Sequence, residues 1–164
     1  MTFSVTTWKS PVGALVVASH ATAVCALEFA DDWLRAEEHL RRKFGAVEVD
    51  SGGDPAGAVP RLEAYFSGEL DALADLAIDP RGTPFQLRVW RELQTIAPGQ
   101  PISYRDLAAR VGCPFGFRAV GSANGRNPLA IVVPCHRVIG ADGGLRGYAG
   151  GLDRKRRLLE HERA

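Results

Sequence analysis

Pro134-Cys135-His136-Arg137 sets a thiol, an imidazole and a guanidinium side by side behind a proline. Cysteine attacks as its thiolate, and two cationic neighbours favour that form. The chemistry open to such a tetrad is displacement by sulfur at an electrophilic carbon. A small buried cysteine at a strand end would account for the same residues, so the surroundings must decide. The apolar, β-branched run before it, within Leu129–Val133, reads as a buried strand halted by Pro134 at a turn.

With 164 residues the chain can bury a proper core, as one domain or two small ones. Cys25, Cys113 and Cys135 show no metal-ligand spacing and cannot all pair, so neither a metal nor a disulfide framework is expected. No apolar leader and no membrane-length run is present, which predicts a cytoplasmic protein with no membrane partner. The net charge of +1 hides an asymmetry: residues 1–80 carry 6 Lys/Arg against 13 Asp/Glu, and residues 81–164 carry 14 against 6. An acidic support and a basic functional face follow, and nucleic acid is the obvious polyanionic partner.

The elements that must position the cysteine can be read in order. Phe3–Trp8, Ala14–Ala18 and Val24–Phe29 are predicted strands, joined through Ser10-Pro11-Val12-Gly13 and His20-Ala21-Thr22-Ala23. Asp31 or Asp32 is placed to cap a helix with Trp33, Ala36, Leu40 and Phe44 on one face. Val47-Glu48-Val49 fits a short edge strand, residues 50–58 a loop, and Val59, Leu62 and Phe66 a helix stopped by Gly68. His20, His39 and Cys25 read as structural or solvated. After the link at Asp79-Pro80-Arg81-Gly82, Thr83, Pro84 and Gln86 supply an N-cap, a first-turn proline and a capping box. Phe85, Val89, Leu93 and Ile96, with Trp90 beside them, form that helix's apolar face, and Pro98-Gly99 end it.

Ser103 and Asp106 start a further helix, Gly112-Cys113-Pro114 turns the chain, and Phe115–Gly125 reads as a second helix, a pairing that fits a helix-turn-helix. Gly116, Ala119, Gly121, Ser122 and Ala123 are small enough for close approach to another surface, while Arg118 protrudes. Close packing on the protein's own core would explain the same residues. Gly147–Gly151 reads as a flexible loop, and Asp153 as the cap of a last basic helix.

Val120-Gly121-Ser122-Ala123-Asn124 through Asn127-Pro128, then Pro134–Gly140, then Gly147-Tyr148-Ala149-Gly150-Gly151, resembles the O6-alkylguanine-DNA alkyltransferase family. The likeness extends upstream through residues 65–69, 82–86, 89–90 and 103–104. It implies an α+β fold: a ribonuclease-H-like antiparallel sheet with a helix over residues 1–79, and a mostly helical domain with a helix-turn-helix or winged-helix element over residues 80–164. The activity it implies is repair of DNA, in which O6-alkylguanine, and O4-alkylthymine as a second substrate, is flipped out of the duplex. The alkyl group passes irreversibly to Cys135, once per molecule and without a cofactor.

Carried over by position, the resemblance makes Cys135 the nucleophile and His136 the base, acting through a water, with Glu162 orienting the imidazole. Asn127 would hold the turn, and Lys155 would help polarise the site. Arg118 would fill the space left by the flipped nucleotide, while Tyr104 would rotate the 3′ phosphate and donate toward guanine N3. Ala119, Gly121, Ser122 and Arg126 would meet the DNA. Pro134, Val138, Tyr148, Ala149 and Gly150 would form the base pocket, with the main-chain carbonyls of Cys135 and Val138 reading the guanine amine. The partner implied is duplex DNA bound without sequence preference through the minor groove, by a monomer or by copies clustering cooperatively.

This chain departs from the family's pattern where Ala149 replaces the serine of some members, where Phe117 replaces a small residue, and in lacking a zinc set in its N-terminal half. Phe117 shares a face with Val120 and is expected to pack inward. Two other functions fit parts of the pattern. A non-enzymatic alkyltransferase-like binder would lack the cysteine, and a Cys-His-Glu thiol hydrolase would need neither Arg118 nor a small-faced helix.

Overall fold

The computed structural model describes residues 1–163. They gather into two compact units, one of Met1–Arg81 with Pro128–Val132, the other of Gly82–Asn127 with the residues from Val133 onward.

In the first unit, β1 (Thr2–Ser10), β2 (Gly13–His20) and β3 (Ala23–Phe29) form an antiparallel meander, and β4 (Glu48–Ser51) adds to the β1 edge in parallel. The two-residue turn at Pro11-Val12 is tied by Ser10, whose hydroxyl donates to the Gly13 carbonyl and accepts from the Val12 N–H. Helix α1 (Trp33–Phe44) lays Ala36 and Leu40 on Phe3, Ala18, Cys25 and Ala26, the apolar stripe expected of it. Asp32 holds its N-cap position but makes no side-chain cap, because a 3-10 turn over Ala30–Asp32 already leads the chain in. Helix α2 (Ala58–Phe66) buries Ala58, Leu62 and Tyr65, so its inner face lies beside the Val59/Phe66 face that the spacing suggested. Asp54, in what reads as plain loop, caps it: its carboxylate accepts from the N–H groups of Ala58 and Val59, both at 2.9 Å.

The Leu129–Val133 run is not a strand. Leu129 makes a single bridge to Leu27, with Leu27 N–H donating to Pro128 and Ala130 N–H to Leu27. The chain then turns, and Ile131 takes a φ of 70°. The run is apolar because it is buried, and burial alone cannot distinguish a strand from a buried turn.

In the second unit, α3 (Pro84–Leu93), α4 (Tyr104–Arg110) and α5 (Phe117–Gly125) pack on one another, and α6 (Leu152–Arg163) follows. Both capping boxes form, Thr83 with Gln86 and Ser103 with Asp106. Trp90 on α3 is buried and donates its ring N–H to the Ala123 carbonyl on α5 at 2.8 Å. Gly82 is required beneath it, since a Cβ there would meet the indole at 2.6 Å. Helix α5 starts two residues later than the pattern suggested, leaving Phe115 and Gly116 in the turn. Phe117 does not pack inward: it is 42% exposed while Val120 is fully buried. It sits in the first turn, where the helix has not yet closed over the core. Two-residue strands β5 (Ile102–Ser103) and β6 (Val138–Ile139) pair in parallel, an element too short to leave a sequence period. Asp153 lies within the first turn of α6 and does not precede it.

Candidate active site

Cys135 opens a 3-10 turn over Cys135–Arg137 and is 8% exposed. Its N–H donates to the Val133 carbonyl, and the same carbonyl accepts the buried Asn127 amide at 2.7 Å. Asn127, two residues beyond the end of α5, thereby clamps the chain just ahead of the cysteine.

Consecutive side chains of a 3-10 turn point about a third of a turn apart, so Cys135, His136 and Arg137 cannot share one focus. His136 is fully buried, with Nε2 3.0 Å from Glu162 Oε2. Arg137 grips the same carboxylate twice, Nε to Oε1 at 2.9 Å and Nη2 to Oε2 at 2.7 Å, and donates from Nη1 to the Ile96 carbonyl at 2.7 Å. The expectation of two cationic neighbours for the thiol therefore fails on both counts. Arg137 spends its charge on Glu162. Burial pushes His136 toward neutrality, against the pull of the Glu162 hydrogen bond. Glu162 is itself lowered to about 2: burial would raise it, but the hydrogen bonds and charges of His136 and Arg137 outweigh that.

The tautomer is assigned from this hydrogen bond. An ionised carboxylate only accepts, so Nε2 carries the proton of the neutral ring and Nδ1 is a bare acceptor. That Nδ1 is buried and has no hydrogen-bond partner among the described residues.

Lys155, whose side chain is wholly buried on α6, interacts electrostatically with Cys135. Its ammonium donates to the Arg146 carbonyl at 2.5 Å and to the Gly147 carbonyl at 3.3 Å, tying the loop before α6 to the helix. Burial lowers it to about 8, against an opposing pull from charge on Cys135. The ammonium also lies 5.7 Å from the centroid of the Tyr104 ring. Tyr104 is raised above its ordinary value by burial and then by the charge of Cys135, and its oxygen is hydrogen-bonded to the side chain of Asn124 on α5. Cys135 and His136 are thus carried by the turn, Tyr104 by α4, Lys155 and Glu162 by α6, and Asn127 by the segment that follows α5.

Pro134 and Val138 are buried beside the cysteine, Tyr148 and Gly150 are half-buried, and Ala149 is exposed. Arg118, Ala119, Ser122 and Arg126 stand on the exposed face of α5, opposite the buried Val120, Ala123 and Asn124. Gly121 is half-buried, with nothing within 4 Å of where a Cβ would be. The structural part of Arg137 and the part of Asn124 had no sequence signal beyond residue type, because their partners lie far along the chain. Among the described residues no three His, Cys, Asp or Glu side chains converge to hold a metal ion, and no helix is long and apolar enough to cross a membrane.

Comparison with known proteins identifies the family and the fold. The family model for the 6-O-methylguanine DNA methyltransferase DNA binding domain matches residues 84–164. The model for that family's ribonuclease-like domain matches residues 4–80. The methylated-DNA–protein-cysteine methyltransferase of Mycobacterium tuberculosis is 46% identical over 159 residues, which is 96% of this chain and 91% of that protein. A crystal structure of Mycobacterium tuberculosis OGT in complex with DNA superposes with a TM-score of 0.81 at 45% identity, covering 98% of this chain and 92% of that one. The O6-methylguanine-DNA methyltransferase from Pyrococcus kodakaraensis gives 0.75 at 31% identity, with 98% of each chain covered.

Proposed function

This chain belongs to the 6-O-methylguanine DNA methyltransferase family, and we propose that it repairs duplex DNA by moving the O6-alkyl group of guanine irreversibly onto Sγ of Cys135. O4-alkylthymine is a second substrate of the same displacement. The observation that carries the mechanism is the buried His136 ring, with Nε2 3.0 Å from the Glu162 carboxylate and Nδ1 without a hydrogen-bond partner among the described residues.

The Cys135 thiol gives its proton, through a water, to Nδ1. The imidazolium formed is stabilised by the Glu162 carboxylate, whose position Arg137 holds. Lys155 stabilises the thiolate electrostatically. Sulfur attacks the alkyl carbon, the S–C bond forms as the C–O6 bond breaks, and the electron pair leaves on the guanine. The Tyr104 hydroxyl donates toward N3 to take up that charge. The thioether is stable and nothing in the site removes it, so each molecule acts once. A carbon inside the base stack is out of reach, so the nucleotide is extruded at a cost of a few kcal/mol. Arg118, on the exposed face of α5, takes its place. Ala119, Gly121, Ser122 and Arg126 meet the minor groove and its phosphates, while Pro134, Val138, Tyr148, Ala149 and Gly150 enclose the base. Backbone affinity from the basic half needs no sequence preference, as random damage requires.

Residues 80–164 act as the DNA-binding and transfer domain, supported by residues 1–79. The protein works as a cytoplasmic monomer with room to cluster along DNA. The absence of a disulfide among its three cysteines supports a reducing compartment. A binder of alkylated DNA that does no chemistry has no use for a cysteine at this place in the turn.

The test is intact mass after incubation with duplex carrying O6-methylguanine. One added methyl on Cys135 is expected, and none in Cys135→Ala, which still binds DNA. More than one methyl removed per protein molecule overturns the single-turnover reading.

A further inference from the structure

Six large apolar side chains are exposed among the described residues, and two of them, Phe115 at 91% and Phe117 at 42%, flank a single glycine at the entry to α5. The turn that carries them is tightly built. Cys113 N–H donates to Ala108, Gly116 N–H donates back to Cys113 at 2.8 Å, and a Cβ on Gly116 would meet Cys113 at 3.2 Å. The rings are therefore carried by a folded turn and not by a loose loop. Pro114, Arg118 and Ala119 next to them in the chain are exposed, as are Ser122 and Arg126 farther along, and α5 contains no acidic residue. Two large exposed rings on one turn, followed at once by an exposed arginine, are a feature of binding surfaces. Aromatic rings beside arginines suit nucleic acid, since ring faces stack on bases while guanidinium groups meet phosphate. Charge favours the same occupant, because the half of the chain that bears the patch carries 14 Lys/Arg against 6 Asp/Glu.

Duplex DNA poses a steric problem to α5. A helix is about 10–12 Å across with its side chains, and the minor groove is about 6 Å wide. Small residues on the contacting face reduce the mismatch but do not open the groove. Apolar wedges do, by partly unstacking a base step and kinking the duplex away. We infer that Phe115 and Phe117 form a two-ring wedge that presses into the minor groove beside the extruded nucleotide, opening the base step so that α5 can seat and Arg118 can enter. This rests on the alkyl-transfer reading of Cys135.

The experiment compares the parent protein with Phe117→Ala, Phe117→Leu and the double variant Phe115→Ala/Phe117→Ala. Single-turnover transfer is measured from duplex O6-methylguanine and from free O6-benzylguanine, with 2-aminopurine fluorescence reporting unstacking next to the lesion. The expected result is a loss of about tenfold or more in the duplex rate of the alanine variants, with a smaller 2-aminopurine rise, partial rescue by leucine, and free-base rates near the parent's. Equal duplex rates and fluorescence in all variants would overturn the wedge. So would equal slowing on both substrates, which would make the rings structural. A concentration-dependent dimer that the double variant abolishes, with duplex repair unchanged, would also overturn it by assigning the rings to a protein contact. A parent that takes no methyl group from the duplex would instead sink the reading of Cys135, and the wedge with it.

Discussion

Glu162 serves two groups with one carboxylate, orienting His136 and neutralising Arg137. Glu162→Gln keeps the shape but leaves a buried guanidinium unpaired, which typically costs about 3–5 kcal/mol. At a temperature where the variant is folded, its transfer rate should fall by about 10²–10⁴-fold, the usual scale of a base contribution. An unchanged rate would remove Glu162 from the mechanism. The same residue shapes the acid limb of stability. Its pKa is about 2 in the fold against an ordinary 4.5, so it contributes stability that is fully present above 4.5 and lost as pH falls toward 2. Melting curves across that window should drop more steeply for the parent than for the variant.

At the scale of elements, α5 keeps an exposed outer face while its inner face is held. The indole N–H of Trp90 supplies one of the holds, on the Ala123 carbonyl. Trp90→Phe keeps most of the ring volume and removes that hydrogen bond, leaving the carbonyl to the Arg126 N–H at 3.2 Å, so a loss of about 0.5–1.5 kcal/mol is expected by denaturant unfolding. Repair of duplex should slow as well, because a loosened α5 carries Arg118 with it. A variant as stable as the parent would show that packing alone fixes the helix. The capping boxes at Thr83 and Ser103 work at this scale too: the second fixes the start of α4, and with it Tyr104, its first residue.

For the molecule as a whole, one buried charge stands outside the chemistry. Glu28 on β3 is 3% exposed, and burial raises it to about 7, with Arg35 at 3.6 Å and the Phe29 N–H pulling the other way. The folded state then binds more protons than the unfolded chain between 4.5 and 7, so stability falls as pH rises through that window and the penalty persists above it. Glu28→Gln should therefore be more stable than the parent at pH 8, by about 1–3 kcal/mol, and should lose this pH dependence. A variant less stable at pH 8 would mean that the Arg35 pair outweighs the burial cost.

The sequence by itself determined what nearest neighbours encode. The hairpin turn at Pro11-Val12, the apolar stripe of α1, both capping boxes and the motif residues around Cys135 are all written within a few positions of one another. What depends on distant partners was left to the tertiary structure. Arg137 reads as a cation for the adjacent cysteine until Glu162, 25 residues on, is seen to hold it. Lys155 comes within electrostatic reach of the thiol only once α6 is packed. Ile131 and its neighbours read as strand because burial selects apolar residues whether the backbone is extended or turning. Phe117 shares helical spacing with Val120, yet spacing fixes only the angle around a helix axis. How far the core extends along that axis is decided by the other helices, and here it stops short of the first turn.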